Sequence, residues 1–318
     1  MMFSFIVPVY NVEGYVRACL ESIEKQTYEQ YEVLIVNDGS EDASVAIIED
    51  FIKGKEKFRL LHKENGGLSD ARNAALAHVQ GDYIVFVDSD DTIHPHLLAC
   101  LYDEIETYPN IDVIKFQCQL VSEEGHILRQ FQDEPFHNKC GKEAFSKLLQ
   151  TQTLEPAWSY TYRKDYWMSQ NFMFRKGTYH EDFGLIPFVV FCASSVSSLS
   201  FVGYNYLQRP GSIMNDDHAQ KNRKKAWDVL LHYDCLLQQL EQNKYTSEEV
   251  EEFQSFLANA VLSKASILHD QDFKSYLKEI QKRKIYNRLC ERTIGQRFKK
   301  RWVKWHLESY LNIMCKKR

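Results

Sequence analysis

Three carboxylates in four residues close the segment GDYIVFVDSDD, residues 81–91. Asp88, Asp90 and Asp91 follow Ile84–Val87, a run apolar enough for a strand buried on both faces. Ionised side by side they repel one another, and dehydrating them without a partner is costly. The group therefore faces water as a solvated turn or holds a cation. Acid-only clusters without imidazole or thiolate suit hard ions such as Mg²⁺ or Mn²⁺. These ions take one or two carboxylates and complete their shell with water and phosphate oxygens. A second acidic group, TYHEDFGL, sets His180, Glu181 and Asp182 ahead of another apolar run. On the residues alone these acids make an acceptable start for an amphipathic helix, whose N-terminus favours negative charge.

The first ninety residues carry the pattern that would gather such groups. FSFIVPV (3–9), YEVLIVND (31–38), RLLHK (59–63) and DYIVFVD (82–88) read as strands. Between them VEGYVRACLESIEKQ (12–26), a segment at about 41–53, and LSDARNAALAHV (68–79) carry apolar residues at helical spacing. This alternation predicts a parallel sheet flanked by helices, whose ligands bind beyond the carboxyl ends of the strands. Pro8, Val9, Tyr10 and Asn11 stand at the first such end, and Asp38 ahead of the Gly39 turn at the second. ENGGLSDARN, with Asp70 and Arg72, follows the third strand, and the three aspartates follow the fourth. Polar groups from four connections are thus expected on one rim. The chain has no GxxxxGK[ST] loop and no GxGxxG after the first strand, so neither a P-loop nor a dinucleotide site is expected. A metal would have to hold the phosphates, in a nucleoside-diphosphate site built from carboxylates.

Composition sets the frame. At 318 residues, 44% of them apolar, the chain can hold one large domain or two and reads as globular. MMFSFIVPVYN lacks a basic leader and a small-residue cleavage site, and the longest apolar run, IPFVVFCA, is broken by SSVSSLS. A cytoplasmic protein is expected. The eight cysteines form no CxxC pair, so reduced thiols are expected and zinc is not. Residues 282–318 carry 13 Lys or Arg against Glu291 and Glu308, a balance of +11, which leaves −16 on residues 1–281. An acidic body with a basic tail points to an anionic partner for the tail.

In order and spacing, IVPVYN, QTYEQYEVLIVNDGSEDAS, NGGLSDARN, YIVFVDSDD and HEDFG resemble the motifs of the family 2 glycosyltransferases of the GT-A fold, of the bacterial capsular and exopolysaccharide type. The resemblance covers about residues 3–215. It implies a Rossmann-like α/β catalytic domain over 1–216, its sheet mostly parallel, with a nucleotide-binding half (1–91) and an acceptor-binding half (92–216). It also implies metal-dependent, inverting transfer of a hexosyl or N-acetylhexosaminyl unit from a nucleotide sugar, usually UDP-linked. On matching positions it places Pro8, Val9 and Tyr10 in the nucleoside pocket, Asp38 on the base, and Asp70 and Arg72 beside base and phosphates. Asp88 would contact the ribose, with Ser89 also in the donor site, and Asp90 would bind the Mn²⁺ or Mg²⁺ that bridges the diphosphate. Asp91 reads instead as a cap for a helix beginning near His94–Pro95. Asp182 would be the base that deprotonates the acceptor, with Glu181 supporting it or touching the acceptor. Arg209 and Ser212 would donate to the leaving diphosphate. Many relatives carry Lys where this chain has Tyr160 and Arg where it has Leu207, which leaves this chain without those charges. The aromatic segment WSYTYRKDYW (158–167) suits sugar stacking or a packed core equally well.

Residues 217–318 read as an all-helical C-terminal extension of four helices: 221–243, 247–268, 272–292 and 294–314. On the last, Arg297, Lys300, Arg301 and Lys304 share one face, and Ile294, Phe298, Trp302 and Trp305 gather on another. That pairing suits a helix lying in an anionic membrane interface, at the inner face of the cell membrane. Docking against this protein or a second copy is the plainer alternative. No recognition motif accompanies the charge, so nucleic acid is not expected. The expected acceptor is a saccharide, lipid-linked in surface-polysaccharide assembly; a protein-linked glycan or a teichoic-acid-like polymer is the alternative. A nucleotidyltransferase would share the metal and sheet but has no use for the HED element. A non-catalytic sugar-binding protein would not need Asp90 and Asp182 together.

Overall fold

A computed structural model describes residues 1–151, 153–209, 218–243 and 245–316. The chain folds as two compact units, one of Met1–Gly177 with Leu185–Ser212, the other of Thr178–Gly184 with Ile213–Arg318. In the first unit β1 (Phe3–Val9), β2 (Tyr31–Asn37), β3 (Phe58–His62) and β4 (Tyr83–Phe86) alternate with α1 (Val16–Glu24), α2 (Ser44–Ile52) and α3 (Leu68–Leu76). All residues of β1, β2 and β4 are buried, as their continuous apolar runs require of strands covered on both faces. α1 begins four residues later than expected because Tyr15 and Val16 first turn back onto the Val12 carbonyl.

These four strands pair in parallel, in the order β3-β2-β1-β4. The chain passes from one edge of the sheet to the far side of β1 when it enters β4. The strand order therefore reverses between β1 and β4, and the crevice beyond their carboxyl ends is the natural ligand site of such a sheet.

Next come β5 (Thr92–Ile93), α4 (Leu97–Thr107), β6 (Val113–Val121), β7 (Ile127–Gln130), β8 (Phe136–Lys139) and α5 (Gly141–Leu148). The unit closes with β9 (Tyr160–Arg163), α6 (Lys164–Ser169), α7 (Ile186–Cys192) and β10 (Val196–Leu207). β9 inserts antiparallel between β4 and β6, while β10 runs parallel to β6 and antiparallel to β5 and β8. β7 pairs antiparallel with β6. The sheet is thus parallel through β4 and mixed beyond it, where strand neighbours need no helical crossover. Register shifts near Val202 twist β10, a device that re-aims side chains, just before Tyr204 and Leu207.

Trp158, Tyr160, Tyr162, Tyr166 and Trp167 are all buried. Tyr160 Oη donates to the Leu154 carbonyl (2.9 Å), Tyr162 Oη to Ala157 (3.0 Å) and Tyr166 Oη to Val189 (2.6 Å). This aromatic segment is core, with its hydroxyls satisfied by backbone.

The second unit holds α8 (Ala219–Gln242), α9 (Ser247–Lys264), α10 (Asp270–Lys282), α11 (Ile294–Trp305) and α12 (Leu307–Lys316). Capping boxes, Thr246 with Glu249 and Thr293 with Gln296, start α9 and α11. The expected third helix stops ten residues early, where Lys284 turns left-handed (φ 49°) into a 3₁₀ turn over Ile285–Arg288. The expected fourth is two helices, broken at His306 (φ −136°, ψ 43°). Val303 before the break and Leu307 and Leu311 after it are all buried. Among the described residues no helix is long and apolar enough to cross a membrane.

Candidate active site

The connections that leave β2, β3 and β4 at their carboxyl ends carry the paired charges of the rim. Asp38, just past β2, is buried, and its carboxylate is held on three sides. The Gly66 amide donates to Oδ1 (2.9 Å), the Gly67 amide to Oδ2 (2.7 Å), and the Lys63 ammonium to Oδ1 (2.5 Å). Gly67 precedes α3 at φ +84°, a conformation that favours glycine. Asp38 therefore fixes the shape of the turn that carries Asp70 and Arg72.

Asp70, in the first turn of α3, pairs with Lys63 (2.9 Å) and with Lys176. These two ammonium groups, Lys176 foremost, hold its carboxyl below the usual range. Burial works against the charged form of Lys63, but its hydrogen bonds to Asp38 and Asp70 prevail and raise its pKa. Arg72 is buried, and its Nη2 donates to Asp88 Oδ1 (2.9 Å) while the guanidinium lies 5.0 Å from the Phe174 ring centroid.

Past β4 the three aspartates separate by role. Asp91 is 1% exposed. It accepts hydrogen bonds from Tyr204 Oη (2.8 Å) and the Leu207 amide (2.7 Å), both on β10. Burial, reinforced by the charges of Asp88 and Asp90, pushes its carboxyl pKa well up. The helix after it starts at Leu97 with His96 as its cap and no side-chain capping bond. The cap expected of Asp91 is thus overturned: the carboxyl is a buried tie between the end of β4 and β10. Tyr204 Oη also accepts from the Asp88 amide (3.0 Å), so one hydroxyl braces two of the three aspartates.

Asp88 and Asp90 keep side chains 26% and 25% exposed. Asp90 Oδ2 accepts from Arg209 Nε (2.8 Å), and the Arg209 guanidinium lies 4.9 Å from the Tyr15 ring centroid. Tyr15 Oη donates to Glu123 (2.9 Å). Ser89 is buried. At the end of β1, Pro8 and Val9 are buried and Tyr10 is exposed. Ser212 lies outside the described residues.

Among the described residues no group of three or more His, Cys, Asp or Glu is arranged to hold a metal unaided. The donor set suits a hard cation that takes a single carboxylate, Asp90, with phosphate oxygens and water as its remaining ligands. The charges of Asp88 and Asp90 both add to the upward push on the Asp91 carboxyl, a negative field that such an ion would relieve.

Glu181 and Asp182 belong to the second unit, in a turn closed by the Gly184 amide donating to the His180 carbonyl (3.1 Å). They precede α7 without standing in its first turn, so the helix-start alternative does not describe them. His180 adopts φ 58°, and its Nε2 lies 2.9 Å from the Lys264 ammonium. Burial, then the Lys264 charge, pushes its pKa down to about 3.

Sequence reasoning missed Lys63, Lys176, Tyr15 and Tyr204. Lys63 had a signal, since it directly follows the third strand. Tyr204 had none, being more than a hundred residues from the aspartates it braces.

The model of the family described as Glycosyl transferase family 2 matches residues 4–198. Glycosyltransferase GlyA of Streptococcus pneumoniae serotype 4 is 35% identical over 217 residues, 65% of this chain. The chain spans about a third of GlyA, 31% of its length. Putative glycosyltransferase EpsH of Bacillus subtilis is 31% identical over 263 residues, 80% of this chain and 73% of EpsH. Among solved structures, residues 1–349 of S. aureus TarS in complex with UDP-GlcNAc align with a TM-score of 0.59 at 23% identity, covering 91% of this chain and 89% of that one. The mannosyltransferase PcManGT from Pyrobaculum calidifontis, in complex with GDP-Man and Mn²⁺, aligns with a TM-score of 0.56 at 12% identity, covering 98% of this chain and 83% of that one. At these identities the structural likeness speaks for the fold.

The Tyr204→Phe variant is expected to lose about 1–3 kcal/mol of stability, because it takes the acceptor from the part-buried Asp88 amide and removes a donor from the buried Asp91. Urea unfolding measures this, and an unchanged midpoint would show that the hydroxyl braces neither residue.

Proposed function

This chain belongs to glycosyl transferase family 2, and on that premise we propose that it moves a hexosyl or N-acetylhexosaminyl unit from a UDP-sugar to a saccharide acceptor, with inversion. The observation that carries this reading is the division of labour among the rim carboxylates. Asp38 and Asp91 are locked into the fold, while Asp88 and Asp90 remain partly open at the β1/β4 crevice.

Pro8, Val9 and Tyr10 line the nucleoside pocket in this reading. Asp38, with three of its carboxylate's roughly four acceptor directions taken, keeps one for the base. Asp70 flanks the base. Asp88 presents an oxygen to the ribose while Arg72 fixes the other, with Ser89 beside it. Asp90 would hold Mn²⁺ or Mg²⁺, which when bound supplies Lewis-acid neutralisation of the diphosphate. The Mn²⁺ in the PcManGT complex supports a divalent ion, and the UDP-GlcNAc in TarS supports UDP-N-acetylhexosamine as a first donor to test. Arg209, already beside Asp90, and Ser212 donate to the leaving diphosphate. Asp182 takes the acceptor hydroxyl's proton as the new bond forms at the anomeric carbon. The bond to the β-phosphate oxygen breaks on the opposite side, and its electron pair leaves with UDP. Glu181 supports the base or touches the acceptor.

The acceptor is assigned to lipid-linked saccharide intermediates of surface polysaccharide. Support comes from α11, whose outward face exposes Ile294 (86%), Phe298 (67%) and Trp305 (73%). Arg297, Arg301 and Lys304 are exposed on the same helix. Lys300 is instead taken by Glu291 (3.3 Å), and Trp302 packs edge-on to Tyr310 at 5.5 Å. Exposed aromatics flanked by cations fit an anionic lipid surface.

Diphosphate release from a panel of UDP- and GDP-sugars with Mn²⁺ tests the reaction class; a UDP-hexose or UDP-N-acetylhexosamine should turn over, and silence across the panel would sink it. On that donor, Asp182→Asn should lower turnover by about 100- to 10,000-fold with UDP affinity unchanged. Lost UDP affinity would move Asp182 into the nucleotide site. In co-sedimentation, the full chain should pellet with phosphatidylglycerol-containing vesicles and not with phosphatidylcholine alone, and the Phe298→Ser/Trp305→Ser double variant should stay in solution. A double variant that still pellets removes α11 from the contact.

A further inference from the structure

The turn bearing Glu181 and Asp182 is held on both flanks by side chains of the helical unit. Before it, the Tyr179 amide donates to Asp228 Oδ2 (2.8 Å), and the Tyr179 carbonyl accepts from His232 Nε2 (3.0 Å). Asp228 and His232 lie one turn apart on α8 and clamp both polar groups of a single residue. A carbonyl can only accept, so its partner fixes the His232 tautomer with the proton on Nε2. At the next residue, the Lys264 ammonium on α9 donates to His180 Nε2. After the turn, Gly184 rests against the His232 ring so closely that a Cβ there would lie 2.1 Å from Nδ1. Phe183 is buried, its ring 5.5 Å from that of Phe256 on α9. Asp228 is itself steadied by Lys224 (2.6 Å).

Asp228 and His232 are buried, and each commits a polar atom to main chain that has no regular secondary structure of its own. Backbone of that kind, with His180 at a positive φ, keeps one conformation only when its surroundings impose it. We infer that Asp228, His232 and Lys264 are positioning residues for the transfer reaction: the helical unit sets the conformation of the turn that carries the base. This rests on the reading of Asp182 as that base. The helical region is then part of the catalytic apparatus as well as a membrane-facing extension.

The full-length chain tests this through two readouts on Asp228→Ala, His232→Ala and Lys264→Met. The first is steady-state diphosphate release from the fastest donor of the UDP-sugar panel. Each variant should lose about 10- to 100-fold in kcat, the cost of a base displaced by about an ångström, with donor KM little changed. Asp228→Asn and His232→Gln keep an acceptor and a donor at the same places and should restore most of the loss; a merely structural defect would not split kcat from KM in this way. The second readout is hydrogen–deuterium exchange, which needs no turnover. Amides of residues 178–184 should lose protection in the Ala variants while peptides of 1–177 keep theirs. Wild-type protection of 178–184 in His232→Ala and Asp228→Ala would overturn the inference. So would lost protection with wild-type kcat, provided that Asp182→Asn is itself inactive. An active Asp182→Asn would overturn the base assignment instead, and with it the inference's claim on catalysis, while exchange would still judge the clamp.

Discussion

Carboxylates crowded at one end of a sheet persist only if each finds a compensating partner, and this constraint organises the whole first unit. Asp38 meets it with two glycine amides and Lys63, Asp70 with two lysines, and Asp88 with Arg72. Asp91 meets it by burial, with a raised pKa and two donors from β10. Asp90 has Arg209. Loops and strands distant in sequence are fastened to one another through these groups. The polar network that tolerates the charge is therefore also what gives the rim its shape.

Asp88 and Asp90 remain partly open to solvent, unlike the buried Asp38 and Asp91. In the proposed function their negative field would attract a divalent cation, and a cation there would bring phosphate oxygens with it. The two positions where charged residues of many relatives are missing fit this picture. Tyr160 is core, its hydroxyl spent on backbone carbonyl. Leu207 contributes through its amide, which any residue but proline supplies, by donating to Asp91.

Much of this was legible in the residues because the parallel half of the sheet announces itself locally. Continuous apolar strands, helical spacing between them and polar residues after each carboxyl end are short-range signals, and β1 to β4 follow them within a few residues. What escaped depends on contacts far apart in sequence. No local pattern shows that Tyr204 reaches Asp88 and Asp91, and a lone aspartate before a helix looks like a cap until β10 is seen to claim it. Beyond β4, the strands β5, β7, β8 and β9 are only two to four residues long and carry weaker patterns. In the C-terminal region the period alone could not reveal the break at His306, because Val303, Leu307 and Leu311, all buried, keep helical spacing across it. Nor could it show that Asp228 and His232 each commit a polar atom to Tyr179.

The central claim is that Asp90 joins a metal ion to the donor's diphosphate. Calorimetric titration of UDP into the protein, with Mn²⁺ and then with EDTA, addresses it without knowledge of sugar or acceptor. The account predicts that Mn²⁺ tightens UDP binding about tenfold or more, roughly 1.4 kcal/mol, in the native chain and not in Asp90→Asn. Equal UDP affinity in Mn²⁺ and EDTA, or an undiminished Mn²⁺ effect in the variant, would contradict it.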